Sequence, residues 1–439
     1  MRLMRLSMTK KRASGALVLS AVLVVILVQS WLDGHSAATD GGTIALSAAP
    51  YDLTTDPLSG RLFISTATTA SPSSLLAAAR VAVIDRRTRE VVAMVPVGVN
   101  AGSIVVDMRA HRAFVLNPSV TVNNGAPRGG VTVLDTARLR VVRTILLAGQ
   151  VGQSEGLALD LPTDHLFVTD AQSNTVSMLD AATGVVVRRI AVGRIPASLA
   201  DDATTGHVFV TNQGGNSLGM LDARSGRVLR IVPVGRTPAR VVVDARRHRV
   251  FVGNYQGASV SMVDTRSGRV LATTGVGGAP NDMALDPHSG HLFVVVQSAN
   301  TVGPGSVAML NATSGRLLGT VLRGVFPIGI AADARRGRVV VTMVGPLDSR
   351  GNPAHRGTAY ILEGRTGRVR RTIVVGLAPY NVAVDDRAGQ AFVANAGHDA
   401  PVADPWAWVP QGLRRWLSVL PQPQTRGAPG SVTIVDLTR

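Results

Sequence analysis

The chain has 439 residues, 45 Lys+Arg against 28 Asp+Glu, and no cysteine. The missing thiol excludes disulfides, thiolate metal centres, covalent haem attachment and cysteine nucleophiles, while 46% hydrophobic content suffices for a large core. With the five cations at positions 2–12 set aside, 40 arginines remain against 28 acids; Arg-only usage in an Ala/Val/Gly-rich chain follows from a GC-rich coding bias, so charge alone does not point to a polyanionic partner.

At the N-terminus, Arg2–Arg12 is basic, Gly15–Leu32 carries no charge over 18 residues, and Asp33 follows. Positive charge before an apolar run and acid after it orient a segment with its N-terminus in the cytoplasm and the remainder outside. Residues 1–42 are therefore expected to form an export signal or single-pass membrane anchor with a short linker. Trp31 suits an interfacial anchor, and Ser36-Ala37-Ala38 offers a cleavage site that would release a secreted form.

From residue 43 onward the chain repeats. Units begin at Pro50, Ala101, Ser154, Pro196, Pro238, Pro280, Pro327 and Pro379. Each holds four short Val/Ile/Leu/Phe runs punctuated by Asp, Asn, Gly and Ser-Gly-Arg turns; in the unit at Pro196 these are Leu199–Ala200, Val208–Thr211, Ser217–Leu221 and Val228–Val234. Four strands in about 40–45 residues is a propeller blade. The expected fold is all-β: a β-propeller of eight four-stranded blades over residues 43–439, with seven as the alternative.

The last unit stops after its third strand, Ser431–Leu437, whereas Thr43–Pro50 matches the fourth strand and exit turn Arg189–Pro196. The N-terminal strand is thus expected to complete the last blade and close the ring, removing the exposed edges of an open array.

The second-strand sequences Phe167-Val168-Thr169-Asp170, Phe209-Val210-Thr211-Asn212, Phe251-Val252-Gly253-Asn254 and Phe392-Val393-Ala394-Asn395 are each followed by a Ser/Thr-Val-Ser/Thr-type third strand ending in Asp. This pattern resembles the YVTN-type β-propeller repeat, which includes surface-layer-like proteins and is similar to lactonase-type propellers. The resemblance spans residues 43–439, departs from the family's usual seven blades, and implies a scaffold more than a reaction. Tryptophan is missing from the repeats, unlike WD-type and quinone-binding propellers, so pyrroloquinoline quinone is not expected.

Turns between strands one and two and between three and four share one face. They carry Arg109–Arg112, Arg246–Arg249, Arg335–Arg338, Arg227, Arg269, Arg316 and Arg368. Turn solvation accounts for them; the sharper expectation is contact with an anionic membrane or cell-surface polymer. No aromatic residues interleave as stacking platforms, so nucleic acid is not an expected partner.

The opposite face carries long second-to-third connections in units one (Thr66–Arg80), two (Pro118–Gly130), seven (Gly345–Gly357) and eight (Ala396–Gly430), neighbours once the ring closes. Long loops on a rigid scaffold are where binding groups sit, and the eighth holds Trp406, Trp408 and Trp416. At the channel mouth on this face, Asp52, Glu155, Arg240, Asn281, Asp282, Tyr380 and Asn381 enter the innermost strands. These residues and Trp406 and Trp408 are the expected binding residues.

Two functions follow. The first is an extracytoplasmic, monomeric binding scaffold for a protein, glycan or small ligand, needing no cofactor. The alternative is a metal-assisted lactone or ester hydrolase with Asp52, Glu155, Asp282 and Asn381 around a divalent cation such as calcium, an arrangement the resemblance to lactonase-type propellers implies. No GxSxG, HExxH or phosphate-binding Gly-Lys-Ser/Thr motif is present. His398-Asp399 near Asp404 reads as loop surface, and Asp170, Asn212, Asn254 and Asn395 as caps of the turns they precede.

Overall fold

The computed structural model describes residues 42–67, 78–99, 101–120, 128–147, 156–298, 304–345, 355–397 and 430–438, all within the compact unit Asp40–Arg439. Among the described residues no helix is long and apolar enough to cross a membrane; Gly15–Leu32 lies outside them.

The strands form eight separate four-stranded antiparallel sheets. In the fourth blade they are Pro196–Asp202, His207–Asn212, Ser217–Asp222 and Val228–Pro233, so the innermost strand is longer than its apolar pair suggests. The innermost strands of the eight blades are Ala49–Asp56, Ile104–Asp107, Leu157–Asp160, Pro196–Asp202, Pro238–Asp244, Ala279–Asp286, Pro327–Asp333 and Pro379–Asp385. Each packs on its neighbour in sequence and the last packs on the first, which makes a closed wheel. The count is eight, not the seven usual in the family the repeat resembles.

Closure comes from the expected complementation. Strand Thr43–Leu46 pairs antiparallel with Gly430–Asp436, with Thr43 opposite Thr433 and Leu46 opposite Gly430. One chain end thus supplies the outer strand of a blade whose other three strands come from the other end. No blade faces solvent with an unpaired third strand, the liability an open ring would carry.

The cores lie between blades. Eight clusters of buried apolar side chains each join two adjacent blades, and the closing one joins Leu46, Leu53, Leu62 and Ile64 to Phe392, Ala394, Val432 and Ile434. Second strands contribute one aromatic each in seven blades, from Phe63 to Phe392, with exposures of 0–1%. Such a ring is worth about 2–3 kcal/mol when fully buried, so the repeated Phe-Val pair supplies the main adhesion between blades.

Hydrogen bonds stitch the same seams. The first residue of the second strand reaches the chain just past the next blade's third strand: Arg61 to the Thr136 carbonyl, His165 to Ala223, His207 to Thr265 and His291 to Gly364. Every innermost strand ends in a buried Asp: positions 56, 107, 160, 202, 244, 286, 333 and 385. These carboxylates accept N–H groups of the turn that follows, as Asp56 does from Leu58 and Ser59 at 3.0 and 3.2 Å. Third strands end the same way, with Asp85, Asp135, Asp180, Asp222 and Asp264 capping the turns behind them. Much of the acidic complement is therefore spent on turns, which leaves the arginines in excess at the surface.

Candidate functional site at the channel mouth

The innermost strands do not alternate simply. Their burial runs with a period of three, buried at the leading Pro, at the aliphatic residue three later and at the terminal Asp. The cause is a bulge just after the leading Pro, which shifts the register at Pro50/Asp52, Pro238/Arg240, Pro280/Asp282 and Pro379/Asn381 among others. A bulge re-aims side chains; here Asp52, Arg240, Asp282 and Asn381 take the same place in blades one, five, six and eight, half-buried in the channel wall.

Three of the four make equivalent bonds. Asp52 Oδ1 accepts from Leu53 N at 2.9 Å, and its Oδ2 from Ile104 N of blade two at 3.0 Å. Asp282 Oδ1 accepts from Met283 N at 2.9 Å, and its Oδ2 from Ile330 N of blade seven at 3.2 Å. Asn381 Oδ1 accepts from Val382 N, and its amide donates to Asp52 Oδ1 at 2.8 Å. Arg240 Nε donates to the Asn281 carbonyl at 3.2 Å. Each of these side chains reaches into the following blade.

Withdrawal from bulk water pushes the Asp52 carboxyl up to about 6, opposed by the N–H bonds from Ile104 and Leu53, by the charge of Arg240 and by Asn381. Burial also raises Asp282, with Arg240 the largest opposing influence. The charge of Arg240 thus favours the ionised form of both carboxyls.

Of the residues expected at the mouth, the structure brings Asp52 and Asn381 into direct contact, and Arg240 onto the main chain of Asn281. Tyr380 is exposed and stacks at a tilt on Tyr51, ring centres 5.8 Å apart. Glu155, Trp406 and Trp408 lie outside the described residues. All five side-chain oxygens of Asp52, Asp282 and Asn381 accept backbone N–H groups, three from the residue that follows and two from the next blade, so their first use is fixing the bulge and tying neighbouring blades. Among the described residues no group of three or more His, Asp or Glu side chains is placed to hold a metal ion.

Beside Arg240, where the second-to-third turns of blades four and five are short, a cavity of about 380 Å³ opens, lined by Ser198, Gln213, Thr237, Arg240, Tyr255 and Asn281. Sequence reading found Arg240 and Asn281 but not Gln213, Thr237 or Tyr255, which lie in turns whose approach to the channel depends on blade packing. Asp170 accepts from Gln172 N and Ser173 N as a turn cap. Asn212 and Asn254 instead donate to Ser217 and Ser259 across the hairpin and press against Gly193 and Gly235 of the preceding crossover.

A second cluster lies at the opposite end of the innermost strands. The Asp201 carboxyl is pushed up to about 8, by burial first, then by the neighbouring carboxyl of Asp160 and by Asp202. The aligned units carry Thr55, Val106, Leu159, Val243, Leu285, Ala332 and Val384 at the position of Asp201; a column-by-column reading of the repeat exposes this outlier.

The arginine-bearing turns divide in two. In the inner ring three guanidinium groups pair: Arg112 with Asp107 and Asp164, Arg247 with Asp244, and Arg336 with Asp333; in the outer turns Arg86 of blade one pairs with Asp385 of blade eight and Arg138 with Asp135. In the outer ring, Arg227, Arg269, Arg316 and Arg368 are exposed and in no ion pair among the described residues.

No family model matches the sequence, and no curated protein matches it. Solved structures match the fold. BamB from Moraxella catarrhalis is 16% identical with a TM-score of 0.55, over 81% of this chain and 97% of that one. Kuenenia stuttgartiensis hydrazine synthase is 16% identical with a TM-score of 0.46, over 54% of this chain and 72% of that one. At such identity the likeness to BamB is one of fold alone: the chain is an eight-bladed β-propeller, similar in architecture to BamB.

Proposed function

We propose that the chain is an exported binding scaffold, tethered by Gly15–Leu32, that takes a small polar ligand at the channel mouth on the face carrying the long connections. The observation that carries this reading is an open cavity of about 380 Å³ whose wall includes Arg240 of the bulged layer together with Asn281. That volume lies within the range of small-ligand sites, about 300–1,000 Å³, and its wall offers a guanidinium, amides, hydroxyls and a phenol. The Phe-Val-Thr-Asn-type repeat supports kinship with the YVTN-type propellers.

Binding is favoured over ester hydrolysis because the carboxylate oxygens that would serve a cation are already engaged with backbone N–H groups of their own and the next blade. The test is a thermal-shift screen of the full chain against small polar compounds, repeated with Arg240→Ala. A ligand that binds only the folded state raises the midpoint. Shifts that vanish in R240A support the site; shifts that persist unchanged in R240A, or require residues of the arginine-bearing face, overturn it.

A further inference from the structure

The described chain begins at the arginine-bearing face. The Gly42 carbonyl accepts from Ile434 N at 3.0 Å. From there Thr43–Leu46 runs toward Gly430, the end of the third strand nearest the long connections. Residues 33–41, nine in number, separate the apolar run from this point and reach at most about 30 Å.

On the same rim stand Arg224, Arg227, Arg266, Arg269, Arg316 and Arg368, all exposed. The acids of these turns are engaged as local caps: Asp222 and Asp264 accept from Ser225 and Ser267 N–H groups at 2.7 and 2.9 Å, and Glu363 accepts from the Thr366 hydroxyl at 2.7 Å, so the arginines outnumber the acids on this rim. Directly after the turns, at the start of the outer strands, Val185, Val228, Leu229, Leu271, Leu318 and Val369 are 40–61% exposed. Cations alternating with branched aliphatic side chains, and lacking aromatic platforms, suit the boundary between anionic headgroups and acyl chains.

We propose that this outer rim docks on an anionic phospholipid surface, so that the chain's own tether and its arginines meet the same membrane and the channel mouth points away from it. The proposal rests on the export reading of Gly15–Leu32 and is independent of what the cavity binds.

The protein contains no cysteine, so single reporters can be placed in the full chain: Thr313→Cys on the rim and Gln256→Cys on the opposite face, both exposed. Labelled protein in phosphatidylglycerol–phosphatidylcholine vesicles with a headgroup quencher should show quenching at 313 and none at 256. Replacing Arg227, Arg269, Arg316 and Arg368 by Ser should lower the docked-to-undocked ratio about fivefold per arginine, while replacing them by Lys preserves it. Failure to associate with vesicles, equal quenching at both positions, or quenching that ignores phosphatidylglycerol overturns the proposal. So does shielding at 313 accompanied by a doubling of particle mass, which assigns the rim to a second copy.

Discussion

The amide of Asn381, in the last blade, donates to Asp52 Oδ1, in the first, across 2.8 Å and a separation of 329 residues. It spans the seam where the ring closes, and it touches a carboxyl that channel burial has pushed up to about 6. Closure and channel electrostatics therefore share one bond. Because the folded value of Asp52 lies above its unfolded one, stability from this group is full below about pH 4 and is lost as pH rises through about 6.

Asn381→Ala removes a donor from the ionised form and should move that loss to higher pH, with a cost of about 1–2 kcal/mol at neutral pH. Asn381→Asp should cost more at about pH 8 than at about pH 5, because it sets a second carboxylate beside the first. Unfolding midpoints measured across that range check both. A pH profile identical to that of the unaltered protein counts against the assignment.

Asp201→Asn should stabilise. With its carboxyl at about 8, the group's contribution is full below about pH 4 and gone above about pH 8. The amide removes the like charge and can donate to Asp160 at every pH. The gain, discounted for channel water, is on the order of 1 kcal/mol above pH 8 and near zero at about pH 5. Calorimetry at the two pH values reads the difference directly.

A Cβ on Gly235 would meet Asn254 Cγ at 2.5 Å. The crossover from blade four to blade five packs straight onto that amide, so Gly235→Ala should cost about 1–3 kcal/mol by overpacking. Shortening the partner as well, in Gly235→Ala/Asn254→Ala, should cost less than the sum of the two single changes. Additive costs would show that the two positions are not in contact.

Removing residues 1–39 leaves every described strand, whereas removing 1–46 deletes the outer strand of blade eight and its Leu46, 3% exposed. Losing Leu46 burial alone costs about 2–3 kcal/mol, and the freed third strand becomes a pairing edge. The chain beginning at Asp40 should melt as the full protein does. The one beginning at Ser47 should melt lower and associate, as light scattering during the melt would show.

The repeat was legible because blades are built from local rules. Phe-Val at each second strand, Asp at the ends of first and third strands and Ser-Gly-Arg turns recur in order, and the unmatched strand at Thr43–Leu46 identified its partner by elimination. The innermost strands were harder. Their bulge turns a two-residue alternation into a three-residue burial pattern, so only Leu199–Ala200 of Pro196–Asp202 stood out in blade four. The arginines fall on the expected turns, and several pair with an acid of their own blade, yet the pairs of Arg86 with Asp385 and of Arg112 with Asp164 depend on an acid one blade away.

By itself, then, the sequence determined blade and closure and favoured eight blades over seven, because strand alternation and turn chemistry act within a few residues and recur in every unit; the structure fixed the count at eight. Only the tertiary structure decided which side chains meet. Asn381 reaches Asp52, Asp201 meets Asp160, and Arg240 lies over Asn281 because blade packing brings units together at one register. The physical reason is that such contacts depend on the angle between neighbouring sheets, which no single unit encodes.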